Sequence, residues 1–305
     1  MSLSRMVDLS YSSSRGRLID SRLRTSHPDP SCLMTFFKSS AGLDSLASTA
    51  LRDIGRLRLD PESCRVYFVA GYCDISERLL DCYHDLRPSY GTVTYGRYEE
   101  VIFREERNAC INRMCQLIWH VSERIKSVGA KPCFSTIPPA SLRVWNRKRL
   151  GQGKTESLKY ENQYEYMNRE MVRALQKING FIVKTNSQNN MSTPHIAAQV
   201  MVNQPGYDQN GEKSFPLVHY GRFTDGVHPS PGLADKWAKQ LLRAMKSNRG
   251  LLPKNPKVVV TPVTTPPSPS HDDSIGSDTE YEMALRESQS ECSRYLTAMI
   301  NSGHK

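Results

Sequence analysis

Short apolar runs and helically spaced apolar residues alternate along this chain. Leu33 to Lys38 (LMTFFK) and Arg65 to Ala70 (RVYFVA) have the length and aromatic or aliphatic content of buried strands. Lys131 to Ile137 (KPCFSTI) is a third such run, stopped by Pro138 and Pro139. From Leu43 to Leu57 the apolar residues Leu43, Leu46, Ala47, Ala50, Leu51 and Ile54 fall at helical spacing. From Glu106 to Val128 a longer helix is predicted, with Cys110, Ile111, Met114, Leu117, Ile118, Val121 and Ile125 on one face. Tyr164 to Ile178 reads as a helix, Phe181 to Lys184 as a strand, and Leu233 to Met245 as a closing amphipathic helix. This alternation predicts parallel strands joined by crossover helices: an α/β fold in three layers, α/β/α, with both sheet faces covered. Its chemistry is then expected at the carboxyl ends of the strands.

The pattern divides the chain. Residues 1–16 read as weakly ordered and 17–250 as one domain. Residues 251–276, rich in Pro, Ser and Thr, read as a disordered linker, because such a segment buries too little apolar surface to offset its ordering entropy. Residues 277–300 read as an amphipathic, acidic helix. The chain has 305 residues, 38% of them hydrophobic, and no apolar run reaches the roughly 18 residues of a membrane-spanning helix. The first residues lack the apolar stretch of a secretory signal. The eight cysteines are scattered without a CxxC pair and read as free thiols. Together these features predict a cytoplasmic or nuclear protein, not a secreted or membrane-bound one.

Charge modifies that picture slightly. The net charge is +10, but seven acidic and three basic residues lie from Thr261 onward, so the body is more basic than the whole. A basic body permits weak, salt-sensitive association with nucleic acid. The densest basic stretch, Arg143, Arg147, Lys148 and Arg149 around Trp145, reads better as a solvated surface. His84, His120, His195 and His219 lack metal-ligand spacing, and no metal or cofactor is expected. Asp208, Asn210 and Gly211 form a turn-like stretch without the closing Glu of a calcium loop.

Four segments fall at predicted strand ends: LIDSRLRTS with Asp20 and Ser21, FKSSAGLDSL with Gly42, VYFVAGYCDIS with Gly71, Cys73 and Asp74, and FTDGVHPSPGLADKWA with Asp225 and His228. In this order they resemble the blocks of the SGNH (GDSL-type) hydrolase superfamily: Gly-Asp-Ser, a lone Gly, Gly-x-Asn-Asp and Asp-x-x-His. The texture is also similar to the esterase-like domains of some retroelements. The resemblance implies an esterase acting on a small acyl or acetyl ester without metal or cofactor. Ser21 would be the nucleophile, with Asp20 beside it. His228 would be the general base and Asp225 its orienting carboxylate. The Gly42 backbone and the Cys73 position would form the oxyanion hole, with Gly71 and Asp74 supporting it.

The chain departs from this pattern twice. Cys73 replaces the amide-bearing Asn, and a thiol is a weak donor; losing one oxyanion donor costs roughly 100- to 1000-fold in rate. Ile19 replaces the Gly before Asp-Ser. A second alignment of the first block, on Asp8-Leu9-Ser10, stays open. Ser21 is preferred because Leu18 and Ile19 read as a short strand leading into it. Taken alone, Asp225 and His228 also fit a plain turn before a helix, and Cys73 also fits inert packing. The rival to the esterase is therefore a catalytically degenerate domain used for binding or assembly, associated with a mobile element or with nucleic acid.

The acidic end carries a separate pattern. Ser277 and Glu280 form a capping box, and the segment resembles a ubiquitin-interacting motif, with Tyr281, Ala284, Leu285 and Ser288 at its contact positions. The resemblance implies ubiquitin as a partner. An amphipathic helix docking on the body or on another copy fits the same residues.

Overall fold

The computed structural model describes residues 6–85, 94–103, 105–150, 160–202 and 217–250; for Ser14, 78–85, 94–99, 149, 150 and 202 it describes the backbone alone. The linker over 251–276, the helix over 277–300 with Tyr281, Ala284, Leu285 and Ser288, and the turn at Asp208 lie outside the described residues.

Four strands form a parallel sheet: β1 (Val7–Ser12), β2 (Leu33–Phe37), β3 (Cys64–Val69) and β6 (Lys131–Phe134), in the order β2-β1-β3-β6. The crossovers contain α1 (Arg17–Ser26), α2 (Leu43–Arg56) and α4 (Arg107–Lys126), and α6 (Tyr164–Gln188) and α7 (Pro231–Asn248) follow the last of these strands. One face of the sheet packs its Leu9, Tyr11, Val66 and Phe68 against α2, α4 and α6. The other packs Tyr67, Val69 and Cys133 against Ile19 and Leu23 of α1 and Trp237 and Leu241 of α7. The three-layer α/β/α class predicted from the pattern is the architecture observed. The predicted strands at 33–38, 65–70 and 131–137 and the predicted helices at 43–57, 106–128 and 233–245 correspond to β2, β3, β6, α2, α4 and α7 within a few residues.

Three expectations are corrected. Residues 7–12 are not a loose terminus: they form β1, paired with β2 on one side and β3 on the other. Residues 17–19 are not a strand before Ser21 but the first turn of α1. Phe181–Lys184 is not a strand but a continuation of α6, which runs unbroken through Gly180. The helix has a structural reason to be long. β6 pairs with β3 along one edge, and α6 covers exposed polar groups at its far edge and exit. Asn186 accepts from Phe134 N–H at 2.9 Å and donates to Phe134 C=O at 2.7 Å. Seven residues earlier, Asn179 does the same to Ile137, at 2.6 and 3.0 Å. Two helical turns thus satisfy backbone groups that a strand edge would otherwise expose.

Several further elements had no counterpart in the pattern. An antiparallel pair, β4 (Glu77–Asp85) and β5 (Thr94–Ile102), intervenes between β3 and α4. A short helix, α5 (Leu142–Leu150), follows β6. Residues Met201–Val202 (β7) and Leu217–Val218 (β8) form a small separate bridge. Among the described residues no helix is long and apolar enough to cross a membrane.

Candidate active site

The sheet order fixes where a ligand is expected. From β1 the chain crosses to β2 on one side, then returns to β3 on the other, so the topological switch lies between β1 and β3. In open parallel sheets the crevice beyond the carboxyl ends at such a point is the usual binding place. Here those ends are Ser12–Ser13 and Val69–Ala70. A small cavity sits there, lined among others by Ser13, Arg15, Tyr72, Ser135, Pro138 and Trp237.

Beyond β3, Gly71 turns the chain with φ +114°, a conformation an L-residue side chain rarely adopts, and a Cβ there would overlap Ile137. The turn opens the short helix α3 (Tyr72–Ile75), which brings Tyr72 to the cavity and carries Cys73 and Asp74 directly after it. Asp74 reaches across to α2: both its carboxyl oxygens accept from Leu43 N–H, at 3.2 and 3.1 Å, beside Gly42. Burial pushes this carboxyl up to about 6, against the opposing pull of the Leu43 N–H and Arg113. Gly42 is the residue preceding α2, and Cys73 is half-buried on α3.

Asp225 and His228 form a closed turn before α7. Asp225 Oδ1 accepts from Val227 N–H at 3.0 Å and His228 N–H at 2.7 Å, and His228 Nδ1 lies 2.7 Å from Asp225 Oδ2. Burial pushes the Asp225 carboxyl up, but the His228 ring and the two N–H groups outweigh it and hold it at about 2. An ionised Asp225 selects the imidazole tautomer with its proton on Nδ1 and leaves Nε2 as the basic nitrogen. Gly226, at φ +85°, seats the turn against α5, where Ser141 N–H donates to Gly226 C=O at 2.8 Å. The Trp145 ring tilts over His228 at 5.3 Å. Ser230 caps α7 with Pro231 at its first position, so the turn is fixed on both sides.

Ser21 is elsewhere. It is exposed in the middle of α1, its hydroxyl donates to Leu18 C=O, and no hydrogen bond joins it to His228. Asp20 is partly buried beside Ser12, and burial pushes its carboxyl up to about 7, with Arg24 and Ser12 opposing. Asp8 and Ser10, the second alignment, are buried inside β1. Asp8 Oδ2 lies 3.1 Å from His27 Nε2 and accepts from Arg249 Nε at 2.8 Å. The residues at the strand end are instead Ser12, Ser13 and Ser14. The sequence carried that signal in YSSSRG, a serine run directly after alternating Val7, Leu9 and Tyr11.

Sequence reasoning also passed over Arg15. It is 4% exposed. Its Nη1 donates to Pro138 C=O at 2.6 Å, and its guanidinium lies 4.0 Å from the Tyr72 ring centre. Burial lowers it to about 10, while Tyr72, Cys73 and Asp225 oppose that fall.

No protein-family model matches the chain, and no curated protein matches it. Solved structures similar to it include a candidate acylhydrolase of Bacteroides fragilis, 11% identical, with TM-score 0.45 over 82% of this chain and 89% of that one. A GDSL-like lipase of Bacteroides thetaiotaomicron is 12% identical, with TM-score 0.43 over 80% and 88%. A lipase/acylhydrolase of Enterococcus faecalis is 12% identical, with TM-score 0.41 over 79% and 96%.

Proposed function

We propose that the domain is an SGNH-like serine hydrolase acting on a small acyl or acetyl ester. The observation that carries the reading is the Asp225–His228 pair, with its 2.7 Å ring contact, held by a turn directly before α7. Arg15 links the two places: it lines the cavity with Ser13, and its guanidinium lies 6.0 Å from the ring centre of Phe223, two residues before Asp225. Ser13 is the hydroxyl the reading favours as nucleophile, in place of Ser21. His228 Nε2 would take its proton as the Oγ–C bond forms, then return it to the leaving alkoxide. Water would release the acid in a second, equivalent cycle. Ubiquitin as partner of the segment containing Ala284, and nucleic acid as partner of the basic body, belong to the same proposal as separate surfaces.

The test is labelling by a fluorophosphonate together with hydrolysis of p-nitrophenyl acetate. Ser13→Ala and His228→Ala should each lose activity by roughly 10⁴-fold or fall to background, and Ser21→Ala should retain it. Equal background from wild type and all variants removes the enzyme and leaves a binding module. Loss in Ser21→Ala alone restores the original assignment.

A further inference from the structure

Arg15 is a buried cation with an unused edge. Its Nη1 is taken by Pro138 C=O, but Nε and Nη2 are both buried without a hydrogen-bond partner. Those two nitrogens lie on one side of the guanidinium and present parallel N–H donors, the geometry that binds a carboxylate through two oxygens. Among the described residues no carboxylate lies within ion-pairing distance of Arg15. Asp225 is already committed to His228 and two backbone N–H groups, and the ionisable group seated directly on Arg15 is Tyr72, a phenol. The Tyr72 face supports the cation by a cation–π contact but leaves the N–H donors unsatisfied. A buried charge in this state is unfavourable unless something completes it.

The cavity beside Arg15 has room for about one water-sized group. One anionic oxygen fits that space, and for a carboxylate to reach Nε and Nη2, which are closed off by their neighbours, the lining side chains must give way slightly. We propose that the free edge of Arg15 is the anion receptor of this crevice, and that its ligand class is a small carboxylate. The choice of carboxylate rests on the hydrolytic reading, in which the acyl product is one. Within that reading the same edge would face the oxygen of the tetrahedral adduct. It would supply a donor where Cys73 supplies only a thiol.

The experiment uses the whole chain. Sodium acetate is titrated against sodium chloride at constant ionic strength, and the arginine Nε–H resonances are followed by ¹⁵N-edited NMR. The Arg15 resonance is identified by its absence from Arg15→Lys, which keeps the charge and most of the stem. The expected result is a saturable shift of the Arg15 resonance with acetate and not with chloride, and acetate inhibition of ester hydrolysis over the same range. Arg15→Lys should weaken acetate binding by about tenfold or more, as expected for losing a charge-assisted hydrogen bond. An unmoved resonance, an equal shift with chloride, or undiminished acetate binding in Arg15→Lys overturns the proposal. If Arg15→Lys does not fold, the resonance is assigned in wild type by through-bond connection to the Arg15 backbone amide, and its response to acetate decides. His228-dependent hydrolysis without acetate binding removes the receptor and keeps the hydrolase. Acetate binding without hydrolysis does the reverse.

Discussion

Asp20 offers a measurement that tests the packing of α1 against the end of β1. One of its oxygens, Oδ1, is buried without a partner, while Ser12 and Arg24 favour its ionised form. Burial wins and raises the carboxyl from 3.8 to about 7. A group raised in the folded state contributes stability that is fully present below its unfolded pKa and is lost as pH rises through the folded one. For Asp20 that window runs from near 3.8 to about 7. The full span corresponds to ~4 kcal/mol, and partial exposure of the group brings the expected effect nearer ~2 kcal/mol. Asp20→Asn removes the titration and keeps an acceptor for Ser12. Urea unfolding at about pH 5 and about pH 8 should then show wild type losing more stability than the variant over this interval. The variant should be the more stable protein at the higher pH. Asp74, raised to about 6, titrates in both proteins and cancels in the comparison. Identical pH dependence in the two proteins refutes the reasoning.

Two further substitutions probe the parts of the fold that hold the crevice. Leu9 lies fully buried at the centre of β1, and Leu9→Ala should cost about 2–5 kcal/mol in denaturant unfolding; a cost near zero would return residues 7–12 to the role of a loose arm. Gly71→Ala meets both a left-handed backbone and the Ile137 side chain, and it should destabilise by about 1–3 kcal/mol or more. A fully stable Gly71→Ala protein would show that the turn after β3 is built differently.

The elements that the sequence revealed are those with apolar faces at one period. β2, β3 and β6 are short apolar runs, and α2, α4 and α7 each carry a continuous apolar stripe. β1 was missed because half of it is polar: Asp8, Ser10 and Ser12 alternate with Val7, Leu9 and Tyr11. That reads as a weak edge segment, yet both faces are buried, and Asp8 is tolerated because His27, Arg65 and Arg249 surround it. Those partners lie up to 241 residues away, beyond any local pattern. The same polar alternation left the serine run at the end of β1 unconsidered as the first block, and Leu18–Ile19, read as a strand, is the first turn of α1. Asn179–Gly180 looked like a helix end because both residues are weak helix formers, but Asn179 is held by Ile137 and the helix continues. By contrast, Asp225 and His228 were legible because their whole geometry is local: three residues, one turn and the helix that follows.

The two ends of β1 place guanidinium groups in different ion-pairing circumstances, although Arg65 at the amino end, like Arg15 at the other, has two buried nitrogens without a hydrogen-bond partner. At the amino end, Arg249 and Arg65 approach Asp8 at 2.8 and 3.6 Å, and His27 completes the group. Removing one member of such a cluster strands the others, so it ties the start of β1 to the end of α7. At the carboxyl end, Arg15 is buried to a similar degree beside Tyr72 and Pro138, with no carboxylate opposite it among the described residues. If that side chain served packing alone, an apolar residue of similar volume would fill the space without leaving two donors unsatisfied. The contrast therefore separates the ends by role. Paired charge at the amino end fixes the strand. At the carboxyl end Arg15 has no carboxylate opposite it among the described residues, and the anion-receptor proposal assigns that place to a ligand.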